Sequence, residues 1–145
     1  MDDAGLAAWA GLLRVHASLV PVLDRNLQKA CGVPLTWYDV LLNLNAAPER
    51  QLTMGQLGAS VVVSRTRVSR VVDELEQAGL VERRTNPEDR RSAFAAITPS
   101  GRARLRQAAT VYLEGVDRHF AARLSASERQ AMARGFQRVL NNLGG

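Results

Sequence analysis

Residues 64–91 read SRTRVSRVVDELEQAGLVERRTNPEDRR, and the rest of the chain is organised around them. It opens with an amphipathic helix, because its apolar residues recur at helical spacing and form one stripe. Ser64 is predicted to cap this helix, since its hydroxyl can accept a bond from a free backbone N–H. Gly79 is predicted to end it, because a residue without Cβ readily adopts the left-handed conformation. The stripe consists of Val68, Val71, Val72, Leu75 and Ala78.

Short segments on both sides of this helix complete a recognisable module. After it, two strand-like runs surround a turn at residues 86–89, Asn-Pro-Glu-Asp. Before it, Thr53 and Gln56 have the spacing of a capping box for a short helix. Residues 61–63, three valines, form an apolar turn between the two helices, and Leu52 is expected to pair with the hairpin. The layout is a helix, a turn, a second helix and an arginine-tipped hairpin, which is a winged helix-turn-helix.

The polar residues of the second helix suit a DNA duplex. A helix fits the major groove, where arginine can form a bidentate bond with guanine and serine or threonine can bond bases or phosphates. An arginine on a thin hairpin can reach the adjacent minor groove. Two alternatives remain open: an ordinary amphipathic helix with a solvated arginine face, and a winged helix that binds protein partners. The predicted DNA contacts of the helix are Ser64, Arg65, Thr66, Arg67, Ser69 and Arg70.

The distribution of charge agrees with a nucleic-acid partner. The net charge is +5, and residues 64–106 carry ten arginines against six acidic residues, whereas residues 1–63 are slightly acidic. The acidic start lacks the basic region of a signal peptide, and no uninterrupted apolar run is long enough to predict a membrane span. A single cysteine excludes an intramolecular disulfide framework and agrees with a reducing cytoplasm. We therefore expect a cytoplasmic protein.

Further helices flank the winged module on both sides. Residues 4–30 are predicted to form one long helix, bent or interrupted at Pro21. Its apolar positions follow steps of three and four, as in a coiled-coil seam. Thr36 is predicted to cap a second helix, and residues 99–124 and the segment after Ser125 are predicted to form the last two. The seam consists of Leu6, Trp9, Leu13, His16, Val20, Leu23 and Leu27.

These flanking helices exceed what a small module needs for its own core. We expect residues 1–34 and 99–145 to be dimerisation helices around a DNA-binding domain at residues 35–98. Two-fold symmetry would then present two recognition helices to a palindromic site. The alternative is that the extra helices only enlarge the core of a monomer. The predicted fold class is mainly α with a small β-wing.

The succession LTWYDVLLNL…LTMGQLGASVVVSRTRVSRVVDELEQAGLVERRTNPEDRRSAFAAITPSGR resembles the MarR family of bacterial transcriptional regulators. The resemblance implies an obligate homodimer that usually represses genes and often releases DNA when a small phenolic or other lipophilic ligand binds. It also implies roles in the wing: Arg91 inserts into the minor groove, Asp89 orients it, and Arg83, Arg84 and Arg90 lie near phosphates. The expected function is therefore a ligand-responsive repressor.

Candidate signal-receiving residues come from the first two helices. Trp9, His16, Trp37, Tyr38 and Asp39 supply aromatic faces, an imidazole and a carboxylate that could hold a small aromatic ligand. The alternative for the seam residues is ordinary core packing. Cys31 is a candidate thiol sensor of oxidants, with an unreactive cysteine as the alternative. No metal-ligand pattern, phosphate loop or nucleophile motif is recognised, so neither a metal site, a cofactor nor an enzyme is predicted.

Overall fold

The computed structural model describes residues 1–144. It is mainly helical with one small antiparallel sheet, so the predicted fold class is confirmed. The chain divides within its fifth helix into two compact units, residues 1–112 and the described residues from 113 onwards, and each is described by itself. The predicted division into dimerisation helices at residues 1–34 and 99–145 and a DNA-binding domain at residues 35–98 stays a prediction. The helices are α1 (Asp3–Cys31), α2 (Leu35–Ala46), α3 (Met54–Ser60), α4 (Val68–Gln77), α5 (Pro99–His119) and α6 (Ala126–Gly144), and the strands are β1 (Gln51–Thr53), β2 (Val81–Arg84) and β3 (Phe94–Ile97).

Helix α1 begins with a cap from Asp2, whose carboxylate accepts a bond of 2.7 Å from the Gly5 amide. The helix continues through Pro21, so it is not interrupted there, and the alternative, a bend at Pro21, stays a prediction. By length and composition alone α1 could cross a membrane, contrary to our expectation that no segment would qualify. Leu23 and Leu27, near its C-terminal end, are buried in the core of the first unit.

Helix α2 starts one residue before the predicted cap, Thr36. The residue at the capping position is Pro34, whose side chain cannot accept a hydrogen bond. A carboxylate from α1 replaces it: Asp24 Oδ1 accepts a bond of 2.8 Å from the Leu35 amide. The prediction of a Thr36 cap was therefore wrong, because tertiary structure supplied the acceptor.

The two helices of the central module are α3 and α4. The capping box of α3 is confirmed, since Thr53 Oγ1 accepts from the Gln56 amide and the Gln56 side chain accepts from the Thr53 amide. Helix α4 begins at Val68 rather than at Ser64, because residues 63–67 form turns. Gly79 follows α4 with φ +76°, as its predicted role as a helix stop requires.

The sheet has the strand order β1-β3-β2. Strand β1 pairs with β3 with Leu52 opposite Ala95, so the predicted pairing of Leu52 is confirmed. Strand β2 pairs with β3 from Val81–Ile97 to Arg84–Phe94, which forms the wing. The sheet supplies the core with the buried residues Val81, Ala95, Ala96 and Ile97.

Helix α5 starts after Thr98, as predicted, and its first turn lies against Leu80, the residue before β2. A Cβ on Gly101 would lie 2.1 Å from the Leu80 carbonyl oxygen, so only glycine fits there. The helix ends at His119 and is followed by a short 3-10 helix, so the predicted single helix over residues 99–124 was too long. The core of the first unit also contains Leu27, Val33, Val40, Leu41, Leu44, Leu57, Val61, Val72, Leu75, Leu105 and Ala108.

The second unit contains the end of α5 and helix α6. The predicted capping box at the start of α6 is confirmed: Ser125 Oγ accepts from the Glu128 amide, and Glu128 Oε1 accepts from the Ser125 amide. The backbone amide of Ser125, and to a smaller degree its side chain, lower the pKa of Glu128, because hydrogen bonds to the carboxylate favour its charged form. No residue of α6 is buried. The exposed large apolar residues of this unit are Leu113, Phe136, Val139, Leu140 and Leu143.

Candidate nucleic-acid interface

Ser64 occupies a different place from the one predicted. Its side chain is fully buried, and its hydroxyl lies 2.9 Å from the Thr36 carbonyl oxygen and 3.0 Å from Asp39 Oδ2. It does not cap α4, and it is not exposed for a DNA contact, so both predictions require correction. The physical reason is that the chain turns sharply between α3 and α4, which brings Ser64 under α2. A serine hydroxyl can be buried there because acceptors are available.

The acceptor at the centre of this turn is Asp39 of α2, which is only 8% exposed. Its Oδ2 accepts bonds from the amides of Val62, Val63 and Ser64 at 2.9–3.0 Å. Its Oδ1 accepts from the Asn43 side-chain amide at 3.2 Å. A buried carboxylate needs such donors to offset the loss of hydration. Asp39 therefore fixes the turn that leads into α4.

The other predicted contacts of the helix are exposed. Arg65, Thr66 and Arg67 lie in the turn before α4, and Ser69 and Arg70 lie in its first turn. Among residues 1–144, no side chain caps the start of α4. Its first backbone N–H groups are therefore available to an anion, and the helix dipole favours negative charge at this end. The structure thus brings three arginines and two hydroxyl side chains to an uncapped helix start.

The tip of the wing is shaped by short polar side chains. Asn86 Oδ1 accepts from the Glu88 amide, and Asp89 Oδ1 accepts from the Arg91 amide, both at 3.0 Å. Such local bonds are typical of turns. Asp89 thus orients Arg91 through the backbone, and no bond to the Arg91 guanidinium is seen in the described residues. Arg90 and Arg91 are both exposed at this tip.

Arg83 and Arg84 are tied to acidic residues of the protein itself. Arg83 Nη2 lies 2.7 Å from Asp73 Oδ1 of α4, and Arg84 Nη2 lies 2.5 Å from Glu82 Oε1. Their predicted role near phosphates stays a prediction. Both pairs remain partly exposed, where ion pairs contribute little to stability.

A cavity of about 360 Å³ lies beside the Asp39 turn, within the first unit. Three of the five candidate ligand residues line it: His16, Tyr38 and Asp39. The Tyr38 and Tyr112 rings are 4.6 Å apart at the same cavity. Burial raises the pKa of both tyrosines above its ordinary value, with smaller contributions from Tyr112 on Tyr38 and from Asp39 on Tyr112. The sequence did not single out Tyr112, because its position in α5 indicated only core packing.

The remaining candidates lie outside this cavity. Trp9 is 58% exposed on α1, and the Trp37 indole donates a bond of 3.0 Å to Glu74 of α4. Cys31 is half-buried at the end of α1, with Sγ 3.9 Å from the Gln107 carbonyl oxygen. Its role as an oxidant sensor stays a prediction. Within the described part of the chain, no three metal-ligating side chains converge.

Comparison with known proteins places this geometry in a family. A model described as MarR family matches residues 32–92. The transcriptional repressor MprA of Escherichia coli K12 is 31% identical over 96 residues, which cover 66% of this chain and 54% of MprA. The transcriptional regulator MhqR of Bacillus subtilis strain 168 is 31% identical over 101 residues, which cover 70% of this chain and 68% of MhqR. The matched part thus spans about half of MprA and two thirds of MhqR.

The overall fold matches solved structures along the whole chain. Sco3205, a MarR family transcriptional regulator from Streptomyces coelicolor solved in complex with DNA, has a TM-score of 0.87 and 28% identity, and the match covers 100% of this chain and 91% of Sco3205. AbsC, a MarR family transcriptional regulator from the same species, has a TM-score of 0.85 and 28% identity, with 100% and 97% covered. This chain belongs to the MarR family.

Proposed function

We propose that this chain is a transcriptional repressor that binds a palindromic operator in double-stranded DNA as a homodimer. One observation carries the proposal: exposed arginines and hydroxyl side chains surround the uncapped start of α4, beside a wing tipped with Arg90 and Arg91. Such a surface matches the phosphates and base edges of a duplex. The likeness to a DNA-bound regulator and to a repressor supports the same function.

The two parts of this surface have different tasks in the proposal. Arg70 and Ser69 face the bases of the major groove from α4, while Arg65, Thr66 and Arg67 contact nearby phosphates or bases. Arg91 enters the minor groove from the wing, and Asp89 holds its backbone. The contacts on α4 set the sequence preference, because the major groove distinguishes all four base pairs.

The homodimer is proposed from exposed apolar side chains. The first half of α1 exposes Leu6, Trp9, Leu12, Leu13 and Val15, and α6 separately exposes Phe136, Val139, Leu140 and Leu143. Exposed large apolar side chains in such numbers mark an interaction site. A second copy is the partner that gives two recognition helices, and it also accounts for the apolar character of α1 without a membrane. A role on chromosomal DNA places the protein in the cytoplasm.

The response to a ligand is proposed from the cavity at His16, Tyr38 and Asp39. Its volume of about 360 Å³ lies in the range of small-molecule sites, and two tyrosine rings line it. A small aromatic or phenolic molecule is the ligand class that fits these walls. Since Asp39 also holds the turn before α4, a bound ligand could alter the DNA-binding surface.

The test is a gel shift with the DNA upstream of the gene for this chain, repeated at rising salt and with an equal length of unrelated DNA as a control. We expect a specific complex that weakens by about a thousandfold between 50 and 200 mM salt, because cations displaced from several phosphates are released on binding. No shift at low salt would refute DNA binding and favour a protein-interaction module. Adding salicylate as a phenolic probe tests whether a bound ligand releases the protein from DNA.

A further inference from the structure

The second half of α4 carries three acidic residues that bond to neighbouring elements. Glu74 Oε1 accepts a bond of 3.0 Å from Trp37 Nε1 in the first turn of α2. On β2, Arg83 pairs with Asp73 at 2.7 Å and with Glu76 at 3.4 Å, and the Arg83 amide donates to Glu76 at 3.2 Å. Side chains from two different elements therefore hold the same helix.

These bonds lie on opposite edges of the buried stripe of α4. The stripe consists of Val71, Val72 and Leu75, which are all buried. At about 100° per residue, Glu74 falls on one edge of the stripe and Glu76 on the other. By the same construction Arg70 lies opposite the stripe, and Ser69 lies just beyond Glu76 on the same side; both residues are exposed.

This arrangement restrains rotation of α4 about its own axis. Apolar contacts are non-directional, so a helix held only by its stripe could roll slightly without losing them. A hydrogen bond weakens steeply with angle, so bonds on both edges resist rolling in either direction. Rolling would change the direction in which Ser69 and Arg70 point. Base recognition depends on that direction, whereas phosphate contacts tolerate small changes.

We propose that Trp37 and Glu74 are positioning residues for DNA recognition. Their hydrogen bond, on the other edge of the stripe from the Arg83 contacts, sets the rotation of α4 about its axis and thereby the direction in which Ser69 and Arg70 point. The inference rests on the proposed DNA-binding function. It gives Trp37 a role other than the ligand contact predicted from the sequence. Neither residue touches DNA in this proposal, so removing their bond changes sequence preference more than general affinity.

The first experiment compares W37F with N45A in the full-length protein. W37F keeps an aromatic ring and removes the N–H donor, and N45A is a control change at an exposed residue of the same helix, α2. The probes are an operator selected from random duplexes by the unchanged protein and a scrambled duplex of equal length. We expect W37F to lower the ratio of operator affinity to scrambled affinity about tenfold, because losing one hydrogen bond in each of two subunits costs about the free energy of a tenfold change in affinity. N45A should leave the ratio unchanged.

The second experiment separates the effect of the length of the Glu74 side chain from the effect of its charge. E74D keeps the charge but withdraws the carboxylate by one methylene, whereas E74Q keeps the length and an acceptor oxygen and loses the charge. We expect E74D to lower the ratio as W37F does, and E74Q to retain it. Adding E74D to W37F should cause little further loss, because both changes remove the same bond.

Several results would overturn the inference. W37F could leave the ratio unchanged, it could weaken operator and scrambled DNA equally, or E74Q could lower the ratio while E74D retains it. If W37F is not folded by circular dichroism, the E74D and E74Q pair decides the question alone. Failure of the unchanged protein to select any duplex would instead refute the proposed function itself, so the two failures are distinguishable.

Discussion

Replacing Asp39 by alanine is expected to lower the free energy of unfolding by about 3 kcal/mol. The Ser64 amide is buried and would lose its acceptor, which lies 3.0 Å away. The Ser64 hydroxyl would keep a partner, because the Thr36 carbonyl oxygen is 2.9 Å away. The amides of Val62 and Val63 lie nearer the surface, where water can replace the carboxylate. The buried Ser64 N–H, left without an acceptor, and two weaker losses at the Val62 and Val63 amides together give the estimate of about 3 kcal/mol.

The asparagine variant at the same position tests the role of charge. In D39N the amide oxygen can occupy the place of Oδ2 and accept the same backbone bonds. It loses the charge that strengthens them, since charge-assisted bonds are roughly twice as strong as neutral ones. We expect D39N to lose about 1 kcal/mol, clearly less than the alanine variant.

The measurement is urea denaturation of the full chain at one fixed concentration, because dimerisation makes apparent stability depend on concentration. The control is D117A, which removes an exposed carboxylate from α5. Surface changes of this kind usually alter stability by less than about 0.5 kcal/mol. If D39A unfolded as D117A does, the Asp39 carboxylate would not hold the turn, and our account of the region before α4 would be refuted.

Three further predictions concern DNA, pH and assembly. R91A should weaken operator binding by about 1–3 kcal/mol in a fluorescence-anisotropy titration, with R106A on α5 as the control; equal losses in both would contradict the wing assignment. The free energy of unfolding should fall as pH rises above about 10. The reason is that burial raises the pKa of Tyr38 and Tyr112 in the folded state, so the tyrosines of the unfolded chain lose their protons first. Unfolding followed by circular dichroism should show a smaller decrease in Y112F. L140D should shift the protein from dimer to monomer in sedimentation equilibrium, and a wild-type monomer at micromolar concentration would rule out the proposed assembly.

Patterns that depend on neighbouring residues along the chain were predicted correctly. The capping boxes at Thr53 and Ser125, the stop at Gly79 and the wing strands all appear where the sequence indicated. Each depends on bonds or backbone angles within a few residues, so local chemistry is sufficient to specify it. Hydrophobic periodicity predicted the burial of Val71, Val72 and Leu75 correctly, because burial of one face follows from spacing. It was wrong for Ala78, which follows the end of α4 and is exposed.

The errors in helix starts have a common cause. Ser64 and Thr36 were both expected to cap helices, and neither does. In each case a carboxylate from another helix determined the position of the residue: Asp24 of α1 supplies the acceptor at the start of α2, and Asp39 of α2 binds Ser64 in the turn before α4, whose own start has no side-chain cap in the described residues. A serine or threonine before a helix offers a cap, but it cannot exclude a better acceptor that folding brings close.

The candidate site divides in the same way. Composition and spacing along the chain were enough to specify the winged module, its amphipathic helices and the cluster of arginines around residues 64–91. Which polar side chains face solvent and which bond inside the protein depended on the folded chain: Ser64 and Asp39 hold a turn, and Trp37 bonds to α4 instead of lining a cavity. The physical reason is that a hydrogen bond requires two groups within about 3 Å, and for residues far apart in sequence only the folded chain sets that distance.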